Sequence, residues 1–114
     1  MGSMADHFDL ESFEMLKDVM EDEFDELLTV YVKDSDQRLP TLHQALHESD
    51  ATQLRELAHS FKGSSSNISA APLAELCRQV EQAARDEQLH DLDVVLSQID
   101  VEYAQVRALI QTLL

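Results

Sequence analysis

Leu92, Val95, Leu96, Ile99, Tyr103, Val106, Ile110 and Leu113 recur at three- and four-residue intervals, the spacing that lines one face of an α-helix. The same period runs through most of the chain and is rarely interrupted, because 114 residues include only two glycines and two prolines. With so few residues suited to breaking a helix or making a tight turn, little of the chain can be loop. The pattern predicts an all-α fold. No internal repeat, low-complexity segment or linker divides the sequence, and its length suits one compact core. Met1, Gly2 and Ser3, ahead of Met4, read as an expression remnant (residues 1–3), which leaves residues 4–114 as a single domain.

The remaining helices follow from the same period and its punctuation. A first helix is expected from about Leu10 to Met20, with Asp9 as N-cap and Phe13 and Met20 on its inner side. Phe8 and Phe13 are placed to cover one end of the molecule. A second helix is expected over residues 23–48, since Leu27, Leu28, Tyr31, Val32, Ser35, Leu39, Leu42 and Leu46 stay in phase on both sides of Pro40. That proline removes one backbone hydrogen bond and predicts a kink rather than a break. Ser49 or Asp50 caps the third helix, which fades near Ile68. Pro72 suits the first turn of the fourth, which carries Leu73, Leu76, Cys77, Val80 and Ala84 on one face. Arg85 to Asp91 form the last turn. Connections this short join antiparallel neighbours, so helices two to five predict an up-and-down antiparallel four-helix bundle with the first helix as an additional N-terminal cap.

Charge narrows the function classes. The formal net charge is −15, which argues against nucleic acid and anionic membrane surfaces as partners, since both need basic patches. No apolar run approaches the ~18 residues of a membrane span, and no secretory signal is visible. One cysteine excludes an internal disulfide; with it, a cytoplasmic protein is expected. Cys77 falls within a helical stripe and reads as buried filler. The acids are unevenly spread: residues 1–36 hold twelve acids and two lysines, whereas residues 50–68 are balanced by Asp50, Glu56, Arg55 and Lys62.

That balanced segment contains the least ordinary helix face. Leu54, Leu57, Phe61 and Ile68 point within roughly 60° of one another. With Leu54 at zero, His59 falls near about 140°, Gly63 near 180°, Ser66 near 120°, Arg55 near 100° and Lys62 near 80°. One histidine therefore stands away from the core, with a glycine one turn along and a lysine beside it. Gly63 costs a helix up to about 1 kcal/mol relative to alanine, and the apolar stripe does not require it. A side chain missing at that place clears access to the imidazole. Free imidazole is largely neutral at pH 7 and carries a lone pair. Lys62, three residues on, can bring an ammonium toward a transferred phosphoryl group. The same spacing also occurs on plain solvated helix faces, so geometry alone leaves both readings open.

His59-x-Phe61-Lys62-Gly63-Ser64-Ser65 resembles the phosphorylation motif of histidine phosphotransfer (HPt) domains. The similarity extends through Leu73-Ala74-Glu75-Leu76-Cys77-Arg78 and back to Val19-Met20-Glu21-Asp22-Glu23, nearly the whole chain, and is nearest to small stand-alone bacterial members of the HptB type. The resemblance implies a helical bundle that carries a phosphoryl group between receiver-domain aspartates. It makes His59 the phosphoacceptor, Lys62 its electrostatic helper and Gly63 the residue that keeps the site open. Arg55 and Ser66, on the same face, become candidate partner-binding residues. The implied partners are receiver domains of hybrid sensor kinases and of response regulators, met by a monomer that needs no cofactor or metal of its own. Ser69 stands where the family usually has glycine. The helix is therefore expected to close on another left-handed residue, Asn67, or to run on.

Other chemistry is poorly supported. Glu56-x-x-His59 and Glu87-x-x-His90 have the spacing of di-iron bundles, but His59 points outward and His90 lies in an expected turn. His43 and His47 are one helical turn apart and could chelate, yet two imidazoles on a polar face are ordinary surface. Glycine-rich phosphate loops and nucleophile elbows are absent from the sequence. Two classes remain: a phosphoryl carrier without kinase activity of its own, or a non-catalytic helical docking module.

Overall fold

In a computed structural model residues 3–114 are described, so Met1 and Gly2 of the amino-terminal tripeptide lie outside the described residues. The elements in order are α1 (Met4–His7), α2 (Leu10–Met20), a 3-10 turn (Glu21–Glu23), α3 (Phe24–His47), α4 (Ala51–Asn67), α5 (Ala71–Arg85) and α6 (Leu92–Leu113). The expected all-α bundle is the observed one. Each of α3 to α6 packs on the next, and α6 closes back on α3, so the four make an antiparallel bundle. Its core is the union of the apolar stripes, with Leu28, Leu42, Leu54, Phe61, Leu73, Cys77, Val80, Leu96, Ile99, Val106 and Ile110 fully enclosed.

The amino-terminal elements cap one end. Phe13 packs on Phe8 with ring centroids 4.9 Å apart and on Phe24 at 5.2 Å, the tilted and edge-on contacts that aromatic pairs favour. Asp9 caps α2, its carboxylate accepting from the Ser12 amide. The short α1 has no counterpart in the periodicity. The amide of Ser3 donates to Asp6 at its start, and His7 Nδ1 meets Glu102 Oε2 of α6 at 2.7 Å.

α3 runs unbroken through Pro40, whose ring faces solvent. Asp50, rather than Ser49, caps α4 through the Gln53 amide. The end of α4 corrects the expectation made there: Asn67 is its last helical residue, and Ser69 itself takes the left-handed backbone at φ 66°. Ser49 after α3 (φ 54°) and Glu87 after α5 (φ 55°) do the same. All three ends close alike. The left-handed residue donates back to Leu46, Ser66 or Ala84, and the next residue (Asp50, Ala70 or Gln88) donates to Ala45, Ser65 or Ala83. This paired closure satisfies carbonyls that the helix end would otherwise leave open.

Candidate functional site

α4 lies between α3 and α5, and its contact with α5 is the most extensive between any two helices. Ala58 and Ser65 on α4 and Ala74, Cys77 and Ala84 on α5 are small and buried, which lets the two backbones approach. The outward strip of α4 is what this packing leaves uncovered. Arg55, His59, Gly63, Ser66 and Asn67 are exposed along it, while Lys62 is half-buried on the α5 side.

His59 is 69% exposed at its side chain but is held at one nitrogen. Its Nδ1 lies 2.8 Å from Oε2 of Glu81 on α5. Glu81 is enclosed, with 6% of its side chain exposed, and three cationic or polar donors converge on it. Lys62 Nζ approaches Oε1 at 2.6 Å, and Arg85 Nη2 approaches Oε2 at 3.2 Å. Burial by itself pushes the Glu81 carboxyl up; the hydrogen bonds from Lys62 and His59, with their charges, outweigh it and bring it below the usual carboxylate value. An ionised carboxylate can only accept hydrogen bonds, so the Nδ1 it faces carries the proton. In the neutral ring the lone pair is then on Nε2, which makes no hydrogen bond among the described residues and sits on the exposed part of the ring.

Gly63 is helical, with no positive φ, and a Cβ built on it would meet nothing within 4 Å. Neither backbone nor packing asks for glycine there. The contrast with the helix ends is informative. At Ser49, Ser69 and Glu87 the backbone is left-handed, a conformation that costs a side-chain-bearing residue about 1 kcal/mol and glycine almost nothing. Those three places go without glycine, whereas an open helix face one turn from an exposed imidazole has it.

Arg55, Glu56, His59, Glu81 and Arg85 together line a shallow hollow on one side of the strip. Ser66 is not part of it. It lines a second hollow with Lys62, Asp9, Ser12, Ser69 and Arg78, so that Lys62 is the wall common to Ser66 and the Glu81 cluster. No group of three or more potential metal ligands forms among the described residues. His43 instead faces Asp100 at 2.9 Å, and Cys77 is buried, its thiol pushed up to about 12 chiefly by desolvation.

Glu81 is the site residue that the sequence reading overlooked. A signal was present, for Glu81 is in phase with Cys77 and Ala84 on the buried stripe of α5. A carboxylate among apolar neighbours needs a partner, and here the partners come from α4.

The Hpt domain family model matches residues 26–113. No curated protein sequence matches the chain. Among solved structures, the histidine-containing phosphotransfer protein B (HptB) from Pseudomonas aeruginosa PAO1 is 44% identical, covers 95% of this chain and 94% of its own, and superposes with a TM-score of 0.92. ZmHP2, a histidine-containing phosphotransfer protein from maize, is 26% identical over 90% of this chain and 79% of its own, with a TM-score of 0.81. MtHPt2 from Medicago truncatula, at 24% identity over 96% of this chain and 80% of its own (TM-score 0.83), shares the fold. A family match over most of the chain, joined to near-complete coverage at 44% identity, makes this chain a member of the Hpt domain family, a histidine phosphotransfer protein of phosphorelay signalling.

Proposed function

We propose that Nε2 of His59 is the phosphoacceptor and that the chain shuttles the group between receiver-domain aspartates. One observation carries this reading: Glu81 fixes the proton on Nδ1 and leaves an exposed lone pair on Nε2, on a strip that Gly63 clears. The lone pair attacks phosphorus, the bond from phosphorus to the aspartyl oxygen breaks, and the carboxylate departs with the electron pair. No proton has to leave the imidazole. The ring becomes cationic, and the Glu81 carboxylate at Nδ1 balances that charge. Lys62 and Arg85, drawn to the same carboxylate in the unloaded protein, supply the positive charge that the incoming phosphoryl oxygens would meet beside the ring. Arg55 and Ser66 border the surface on which the receiver closes.

The carrier acts as a cytoplasmic monomer and has no kinase activity of its own. Transfer from ATP needs a site that cradles the triphosphate, and the chain lacks a glycine-rich phosphate loop. The phosphorylated aspartate and its divalent ion belong to the receiver. The test is labelling. Wild type takes radiolabel from a phosphorylated receiver, yields it to a second receiver, and takes none from ATP with Mg²⁺. His59→Gln takes none from either source while its helical circular dichroism is unchanged. Label retained by His59→Gln rejects the site, and self-labelling by ATP rejects the carrier reading.

A further inference from the structure

The opposite border of the α4 strip carries a half-buried cation with no carboxylate partner among the described residues. Arg38 of α3 is half-buried and held on two sides: its Nη1 donates to Ser64 Oγ at 3.2 Å, and its guanidinium carbon lies 5.6 Å from the centre of the Phe61 ring. Lys62, Arg78, Arg85 and Arg107 each pair with a carboxylate. Lys17, Lys33, Arg55 and Arg38 make no ion pair among the described residues; the first three stand exposed, and of the four Arg38 alone is half-buried. Asp34, one turn away, lines the same groove without reaching it. A guanidinium that is partly desolvated, held in place and left without an anion is an unfilled recognition site, because its planar fork favours a carboxylate in a fixed geometry.

Its position gives it a partner. About the α4 axis, Ser64 lies about 140° from His59 on one side and Lys62 about 60° on the other. Arg38 therefore borders the strip on the α3 side, across from the cluster of Lys62, Glu81 and Arg85. It also forms a wall of the groove between α3 and α4 with Asn67 and Val30, which is 47% exposed. A domain closing over Gly63 has to meet this wall.

We propose that Arg38 is a docking residue whose guanidinium takes a surface carboxylate of the receiver and sets which way round the receiver sits on α4. The proposal rests on the phosphorelay reading above. Its test separates docking from chemistry. Transfer from a phosphorylated receiver that labels wild type is measured against receiver concentration and salt, alongside labelling by phosphoramidate, a small donor that needs no docking.

Arg38→Gln is expected to raise the KM for the receiver about tenfold, leave the limiting rate and phosphoramidate labelling within about twofold, and weaken the loss of kcat/KM with salt. Ser64→Ala, which frees the guanidinium and removes the hydroxyl's bond to the Phe61 carbonyl within α4, is expected to raise KM about threefold. An unchanged KM in Arg38→Gln overturns the proposal. So does an equal loss of phosphoramidate labelling, which makes Arg38 a packing partner of Phe61. Should Arg38→Gln fail to fold, an unaltered KM in Ser64→Ala overturns it. A wild type labelled by phosphoramidate but by no phosphorylated receiver rejects the phosphorelay reading itself, and the proposal with it.

Discussion

Glu81 ties α5 to α4 through His59 and Lys62 and determines which imidazole nitrogen is free. Glu81→Gln retains the volume, but a carboxamide can donate or accept, so the ring proton is no longer confined to Nδ1. Transfer to His59 is expected to slow by about 10- to 100-fold, comparable to the effect of losing the outer partner of a ligating histidine. The ¹⁵N shifts of His59 should then report a tautomer mixture. A changed tautomer with a rate near that of wild type would reduce Glu81 to an anchor for Lys62 and Arg85. The outward placing of His59, Gly63 and Arg55 was legible because they share one helix, where a 100° step fixes which side chains face outward. Glu81 and Arg38 reach the strip from other helices. A stripe tells which face of a helix is buried, but not how it is registered along its neighbour, so two of the polar residues around the strip escaped the reading.

Helices with strong periods and polar caps were the readable elements. Asp9 and Asp50 stand where their carboxylates meet the first free amides of α2 and α4, and the stripe of α3 continues in phase past Pro40. The four-residue α1 was not readable, being shorter than the period that would reveal it. Nor was the left-handed closure at Ser69, since a serine there resembles an ordinary polar turn residue. Because a Cβ at Gly63 meets open space, Gly63→Gln is expected to leave urea-measured stability unchanged or raise it by up to about 1 kcal/mol. Receiver transfer should nevertheless fall at least about tenfold, as the added side chain holds the two surfaces apart. A destabilised variant whose transfer recovers after correction for its folded fraction would identify Gly63 as a packing residue instead.

At the scale of the molecule, acid should loosen the bundle through two carboxyls that bridge helices. Asp36 of α3 is held below the ordinary aspartate value by hydrogen bonds from Arg107 of α6, opposed by burial and aided by Tyr103, whose hydroxyl donates to it at 2.7 Å. Glu81 is also held low, against its burial, by Lys62 and His59. Between their depressed folded values and the reference values of 3.8 and 4.5, the unfolded chain binds more protons, so stability rises with pH there. The contribution is complete above about pH 5 and is lost as the pH falls through the folded values. The urea midpoint should therefore drop on acidification from about pH 5 to pH 3, and Asp36→Asn or Glu81→Gln should flatten the drop. An unaltered slope in both variants would assign acid sensitivity to other carboxyls. The bundle measures 41 × 26 × 19 Å and exposes His59 on one strip of one helix, so two receivers cannot cover the imidazole together. With His59 as the proposed acceptor, donor and recipient would take turns, the loaded carrier diffusing from one to the other. Steady-state relay through it should give parallel double-reciprocal lines, and a surplus of empty recipient should inhibit competitively against the donor, which makes the relative abundance of the two receivers a throttle on signal flow.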